Sequence, residues 1–366
     1  MLTFAQNYGL KPSCTNIMSE LIAKINSLSA LGSLFNDYVA QTPKNNESDA
    51  WLPQLAAAVT LSEHQNGWFT PENVNFALAS WGQLLQKENL SHWLEKYPEP
   101  KAEAKTVAII MAGNIPLVGF HDLLCVLLAG HKALIKRSSS DMALLNFCVG
   151  FLKDSSEAFA DSINFVDGKL EGYDAVIATG SDNTSRYFEY YFGKKPHIIR
   201  KNRNSVAVLT GTETPEELQA LAHDVFHYYG LGCRSVSKLF IPEGFDTDRL
   251  FQAFFDYQHV LKHEKYTNNY DYNKAVYLMS EFKFLENGFL MLKEDPAYAS
   301  PIGSLFYETY SDLDSLTERL TLDAEKLQCI VGKDLKMDTV AFGQTQCPSL
   351  SEYADGVDTM AFLHEL

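Results

Sequence analysis

No apolar run in this sequence reaches the roughly 18 residues a membrane-spanning helix needs, so no membrane span is expected. The start, Met-Leu-Thr-Phe-Ala-Gln-Asn, lacks the basic residues and apolar stretch of a secretory signal, which points to a cytoplasmic protein. Positive charge is scarce. The 30 lysines and arginines face 46 acidic residues, a formal net charge of −16. That balance argues against nucleic acid or an anionic membrane surface as the main partner, while leaving room for a local basic pocket. The six cysteines (14, 125, 148, 233, 329 and 347) form no Cys-x-x-Cys pair and have no histidine at zinc spacing. No metal site is expected, and reduced thiols fit a cytoplasm. Two nucleotide-binding signatures are also missing. No Gly-x-Gly-x-x-Gly follows the first strand, and no Gly-x-x-x-x-Gly-Lys-[Ser/Thr] occurs anywhere.

What is present is an ordinary globular composition, 46% hydrophobic and 21% charged, over a 366-residue length that suggests two domains. Apolar residues recur at three- and four-residue steps over 17–30, 50–61 and 70–95, so the first hundred residues read as helical. Thr70-Pro71-Glu72 supplies an N-cap with proline at the first helical position. From Thr106 the texture changes to short apolar runs separated by helices: 107–111, 132–136, 162–166, 175–179, 197–200 and 206–210. Such alternation indicates a parallel α/β sheet buried on both faces. The expected organisation is one domain over 1–210 together with the tail 341–366, and a second over 211–340. The aromatic run 186–192 reads as core by its helical spacing, and 262–272 as an exposed loop.

The strand ends hold the polar residues. The first strand closes on Met-Ala-Gly-Asn-Ile-Pro, residues 111–116, and the second on Lys136-Arg137-Ser138-Ser139. Open α/β sheets bind ligands at the carboxyl ends of their strands, where Lys136 and Arg137 can grip a ribose or phosphate. Gly180-Ser181 ends a further strand ahead of a helix N-terminus suited to a phosphate. In the second half, Cys233 follows Gly230-Leu231-Gly232 and precedes a strand-like run, 236–241. The bare backbone of a glycine-rich bend leaves a sulfur open to a carbonyl compound, as a thiolate nucleophile requires.

Asn114-Ile-Pro, Lys136 with its serines, Gly180-Ser181 and the glycine-framed Cys233, in that order, resemble the aldehyde dehydrogenase superfamily. Within it the chain is similar to the acyl-CoA reductases that include the fatty-acid reductase of bacterial luminescence. The resemblance spans about 100–345, and Tyr-Ala-Asp-Gly-Val-Asp-Thr, 353–359, is similar to that family's tail. It implies two α/β domains with parallel-rich sheets and Cys233 as nucleophile. Asn114 and the Cys233 N–H would form the oxyanion hole. Lys136 would bind the adenosine ribose and Ser181 the pyrophosphate. The superfamily's habit implies a homo-oligomer, a dimer or larger.

Two departures narrow this reading. Hydrolytic aldehyde dehydrogenases carry Glu-Leu-Gly-Gly-Lys, whose glutamate activates water; here the stretch is Ile199-Arg-Lys-Asn-Arg203. Without that base, a thioester on Cys233 persists until a thiol or a hydride removes it. The cofactor corner differs too. NAD-preferring members have Lys-Pro-Ser-Glu, whereas Lys136-Arg137-Ser138-Ser139 replaces the carboxylate by serine and adds an arginine. A 2′-phosphate suits such a corner, which makes NADPH the expected cofactor and NADH the alternative. The implied activity is reduction of an acyl-CoA, of fatty type, to the aldehyde. An acyl-phosphate reductase of the same fold is the main rival, although no clear basic cluster for a second phosphate stands in 211–340. A cysteine hydrolase lacks a His–Asn pair after Cys233, and a non-catalytic scaffold leaves Cys233, Asn114 and Lys136 unexplained.

Overall fold

Local signals set where the first helices begin and end. The computed structural model describes residues 12–41, 46–101, 103–180 and 182–366. The chain opens with α1 (Pro12–Ala40), α2 (Asn46–Gln65), α3 (Pro71–Leu84) and α4 (Lys87–Leu94). The Thr70 hydroxyl accepts from Asn73 N at 3.3 Å, with Pro71 at the first helical position. The continuous helix expected over 70–95 is broken, because Gln86 takes an extended ψ of 139° and starts α4 afresh.

The chain divides into two compact units, 1–201 with 349–366, and 202–348. In the first, β1 (Thr106–Ile110), β2 (Lys132–Lys136), β3 (Ile163–Phe165), β4 (Ala175–Thr179) and β5 (His197–Arg200) form a sheet ordered β3-β2-β1-β4-β5. Every pair is parallel. α5 (Phe120–Leu128) and α6 (Met142–Ser155) follow β1 and β2, and α7 (Asp182–Phe192) follows β4. α5 is buried almost all round, as an apolar helix without a polar face must be. One core joins it to the helical start and to α12 (Thr359–Glu365). Burying α5 also buries Asp122, which pairs with Arg200; Arg200 reaches Thr359 Oγ1 at 2.9 Å as well.

The second unit holds β6 (Asn204–Val208), α8 (Pro215–Phe226), β7 (Val236–Pro242), α9 (Asp248–Ala253), α10 (Glu264–Met279), β8 (Phe284–Glu286), β9 (Met291–Glu294), β10 (Ser304–Tyr310), α11 (Leu313–Leu322) and β11 (Leu327–Val331). Its sheet runs β11-β6-β7-β10-β9-β8, parallel except for β8 against β9. The apolar run near 206–210 is thus β6, a strand of this second sheet, paired with β7 and β11. Lys238 is fully buried in β7, and its ammonium reaches Asp295 O, Pro296 O and Glu308 Oε2 at 2.8–3.0 Å.

Two sequence expectations are corrected. Residues 264–279 are helix, not loop: the His263 side chain accepts from Tyr266 N, and Tyr266 and Tyr270, one turn apart, face the core. In α7 only part of the aromatic run is core. Phe188 and Phe192 pack inward, while Tyr187, Tyr190 and Tyr191 are 66–79% exposed. Among the described residues no helix is long and apolar enough to cross a membrane, and no cluster of metal-ligating side chains forms.

Candidate active site

The first unit's sheet changes direction at its centre: from β1 the chain moves outward through β2 and β3, then returns to β4 and β5 on the other side. In open α/β sheets ligands bind at such a switch point, which here lies at the carboxyl ends of β1 and β4. Met111 N donates to Lys136 O at 3.1 Å, extending the β1–β2 pairing one step beyond the strand. Gly113 then passes so close to the serine loop that a Cβ there would lie 2.4 Å from Ser138 Oγ, so this crossing requires glycine. Asn66 Nδ2 donates to Gly113 O at 3.2 Å, and Asn114 projects to the surface.

At the end of β2 the predicted cofactor residues separate into two groups. Lys136 and Ser139 are exposed, and the Lys136 ammonium takes no partner among the described residues. Arg137 is committed elsewhere: its guanidinium donates to Asn146 Oδ1 at 2.6 Å and Asp167 Oδ1 at 2.9 Å, and lies 4.2 Å from the Phe165 ring centre. Ser138 Oγ accepts from Ser140 N at 3.3 Å, folding the serine run back on itself. Gly180 N reaches Arg200 O at 3.4 Å, and a Cβ on Gly180 would meet Phe188 at 2.9 Å, which keeps α7 close to β4. Ser181 lies outside the described residues. Ile199, which the sequence resemblance sets against the hydrolytic enzymes' glutamate, is half-buried in β5 opposite Ala178.

In the second unit the central strand β7 presents Cys233 just before it begins. α8 starts at a capping box formed by Thr214 and Glu217 and ends at Phe226. Next come three left-handed residues in a row, Tyr228 (φ 52°), Tyr229 (φ 56°) and Gly230 (φ 76°). Left-handed backbone costs an L-residue about 1–2 kcal/mol, so two consecutive tyrosines there are held by their surroundings. Tyr228 is buried with its ring 4.3 Å from that of His227, and Tyr229 stacks on His263 at 4.5 Å. His223 and His227 stack at 4.6 Å as packing residues; burial pushes the His227 pKa down to about 3, so its ring is neutral.

Past the turn, the buried Ser205 hydroxyl donates to Cys233 O at 2.9 Å and Ser235 N donates to Gly232 O at 3.0 Å. Arg234 binds Thr345 O, and Thr345 in turn donates twice to Asp224. Gln346 reaches Ser235 Oγ at 3.2 Å. The bend is thus fixed on both sides while the cysteine stays exposed. Cys125, Cys148 and Cys329 are buried, and burial raises the pKa of the first two. Cys347 is exposed, yet desolvation of its thiol and the charge of Asp224 raise its pKa too. A cavity of about 30 Å³ beside Tyr229, lined by Phe226, Tyr266 and Ser304, has room for a water molecule but not for an acyl chain.

A sequence model of the acyl-CoA reductase (LuxC) family matches residues 51–279, a stretch containing Asn114, Lys136, Gly180 and Cys233. The chain belongs to this family. A long-chain acyl-protein thioester reductase of Aliivibrio fischeri is 25% identical to this chain over 216 residues, 53% of the chain and 44% of the relative. The match thus spans less than half of that relative's length. Among solved structures, aldehyde dehydrogenase 21 of Physcomitrella patens superposes with a TM-score of 0.61 at 13% identity, covering 96% of this chain and 88% of its own. An indole-3-acetaldehyde dehydrogenase of P. syringae gives 0.60 at 12% identity, with coverages of 85% and 71%. The fold of this family member is therefore aldehyde dehydrogenase-like.

Sequence reasoning did not find Ser205, Asp224 or Asp141, which support these loops. Asp141 had a signal, an aspartate ahead of an apolar helix, but that pattern points to a helix cap. Ser205 and Asp224 act through partners distant in sequence, which no local pattern marks.

Proposed function

We propose that the chain reduces acyl thioesters, acyl-CoA foremost, to aldehydes through an acyl group held on Cys233, with NADPH as reductant. The observation that carries this is an exposed cysteine, on a bend hydrogen-bonded from both sides, inside the stretch matched by the acyl-CoA reductase family. As thiolate, Cys233 attacks the thioester carbonyl. Its sulfur bonds to carbon, the carbonyl electrons move to oxygen, and the CoA thiolate leaves when the oxyanion collapses. The Asn114 amide and the Cys233 N–H are assigned to that oxyanion, and one such donor is worth about 3–4 kcal/mol. With Ile199 in place of a carboxylate, no base activates water against the acyl-enzyme.

The residues at the β2 end fit a nicotinamide dinucleotide. The unpartnered Lys136 ammonium suits the ribose, and the glycine at 113 lets the Asn114 loop and the serine loop cross in close contact beside it. A bound reduced nicotinamide supplies the hydride that converts the acyl carbon to a thiohemiacetal. Collapse then releases the aldehyde and returns the Cys233 thiolate. Because Arg137 is already paired with Asp167, the preference for NADPH rests on Lys136, Ser139 and the missing carboxylate. The Aliivibrio relative is named for an acyl-protein thioester, so a protein-bound acyl thioester is a second donor for the same attack.

The test combines acyl-CoAs of several lengths, or an acylated protein thiol, with NADPH or NADH, following nicotinamide absorbance and intact protein mass. Expected are cofactor oxidation and, without cofactor, one acyl adduct that Cys233→Ala abolishes. Unchanged turnover in Cys233→Ala, or no oxidation with any thioester, overturns the reading. Ser139→Glu should weaken NADPH relative to NADH; equal binding would remove the cofactor argument alone.

A further inference from the structure

The loop carrying Asn114 is held at its far end by a carboxyl that the scheme above leaves unused. Asp141 is 6% exposed and immediately precedes α6, where an aspartate ordinarily caps its own helix. Here its side chain makes no capping bond to α6. Oδ2 instead accepts from Leu117 N at 2.7 Å, across the gap between the two strand-end loops. Oδ1, sealed from solvent, takes no partner among the described residues. Leu117 is itself buried and left-handed at φ 56°, a conformation a leucine keeps only when its surroundings dictate it.

The loop is therefore clamped at two points. Asn66 holds the Gly113 carbonyl on one side of Asn114, and Asp141 holds Leu117 N on the other. Between them Pro116 has a fixed φ. The serine loop does not share this dependence, since Asp141 N on Ser138 O, Ser140 N on Ser138 Oγ and Arg137 on Asp167 hold it independently of the carboxyl. We propose that Asp141 is a positioning residue: by keeping Leu117 in left-handed backbone it sets the Asn114 amide for acyl transfer, and it does so without contributing to cofactor binding. This rests on the assignment of Asn114 to the oxyanion.

Asp141→Ser tests it, because serine is a favourable residue at the start of α6 but is too short to reach Leu117 N. Asp141→Asn is the control that keeps an acceptor oxygen in place. A misplacement of about 1 Å can cost on the order of 10²-fold, so Asp141→Ser should slow acylation of Cys233 about 10- to 100-fold. Its NADPH Kd should stay within about twofold, and Asp141→Asn should acylate within about threefold of wild type. Hydrogen exchange of a peptide spanning 112–119 should quicken in Asp141→Ser and not in Asp141→Asn. Acylation of Asp141→Ser at the wild-type rate overturns the proposal. So does equal slowing in both variants, or a loss of NADPH affinity that matches the loss of rate. Exchange needs no substrate and so decides the anchoring by itself, whereas wild-type protein that takes no acyl group overturns the thioester reading instead.

Discussion

Leu117 near Asn114, and Tyr228 with Tyr229 near Cys233, all hold left-handed backbone without being glycine, at φ 56°, 52° and 56°. The two stretches are kept there by different means. Buried Leu117 is hydrogen-bonded at both ends, its N–H to a buried carboxyl and its carbonyl from Phe120 N. The tyrosines are held by burial, by an edge-on contact of Tyr228 with His227 and by stacking of Tyr229 on His263. The carboxyl near Asn114 is pushed up to about 8 by burial, while His227 is pushed down to about 3 by the same cause. At Leu117 the one hydrogen bond from outside its own turn comes from a single side chain; at the tyrosines ring packing distributes the hold over several groups. The buried ions repeat the contrast. Arg200 and Asp122 leave Nε and Oδ1 without a partner, whereas Lys238 finds three acceptors.

The largest expected effect is on the poorly compensated pair. Asp122→Leu strands the Arg200 guanidinium and should cost about 3–5 kcal/mol in denaturant unfolding. Lys238→Met should cost less, about 2 kcal/mol, because Glu308 keeps Arg319. Equal losses would dissolve the contrast between the two units.

Next in size are the pH effects, which have opposite signs. His227 has a folded pKa below its unfolded one, so its contribution is complete above about 6.5 and is lost as pH falls toward about 3. Lowering the pH from 7 to 4 should reduce Tm by about 5 °C more in wild type than in His227→Phe. Asp141 has a folded pKa above its unfolded one, so its contribution is complete below about 4 and is lost as pH rises through about 8. Thermal scans should show Asp141→Asn matching wild type near pH 4 and exceeding it by about 2–4 °C at pH 8. A wild-type curve that Asp141→Asn merely shifts in parallel would refute the assignment.

The smallest effect concerns the support of the cysteine. Ser205→Ala removes one hydrogen bond to the Cys233 carbonyl and should cost about 1 kcal/mol. Alkylation of Cys233 by iodoacetamide should change with it, while thiols elsewhere react as before.

The alternating strands and helices of the first unit were legible because strands buried on both faces must be apolar throughout, as Ala175–Thr179 is. The glycines framing Cys233 and the caps at Thr70 and Thr214 were readable too, since each acts within a few residues. Arg137 shows where this stops. Its sequence neighbours suggest a cofactor corner, yet its guanidinium is taken by Asp167, 30 residues away. The tyrosines of α10 read as a loop because polar residues separate them; only packing one face of that helix onto the sheet makes Tyr266 and Tyr270 core.

The sequence by itself therefore determined the fold class and the family, because periodicity, caps and short motifs are local properties of the chain. Tertiary structure alone decided which charges remain available and which backbone is strained. Lys136 is left without a partner while Arg137 is not, and Asp141 holds Leu117 rather than capping α6. Those outcomes depend on groups brought together from distant parts of the chain, where burial sets the cost of every unpaired polar atom.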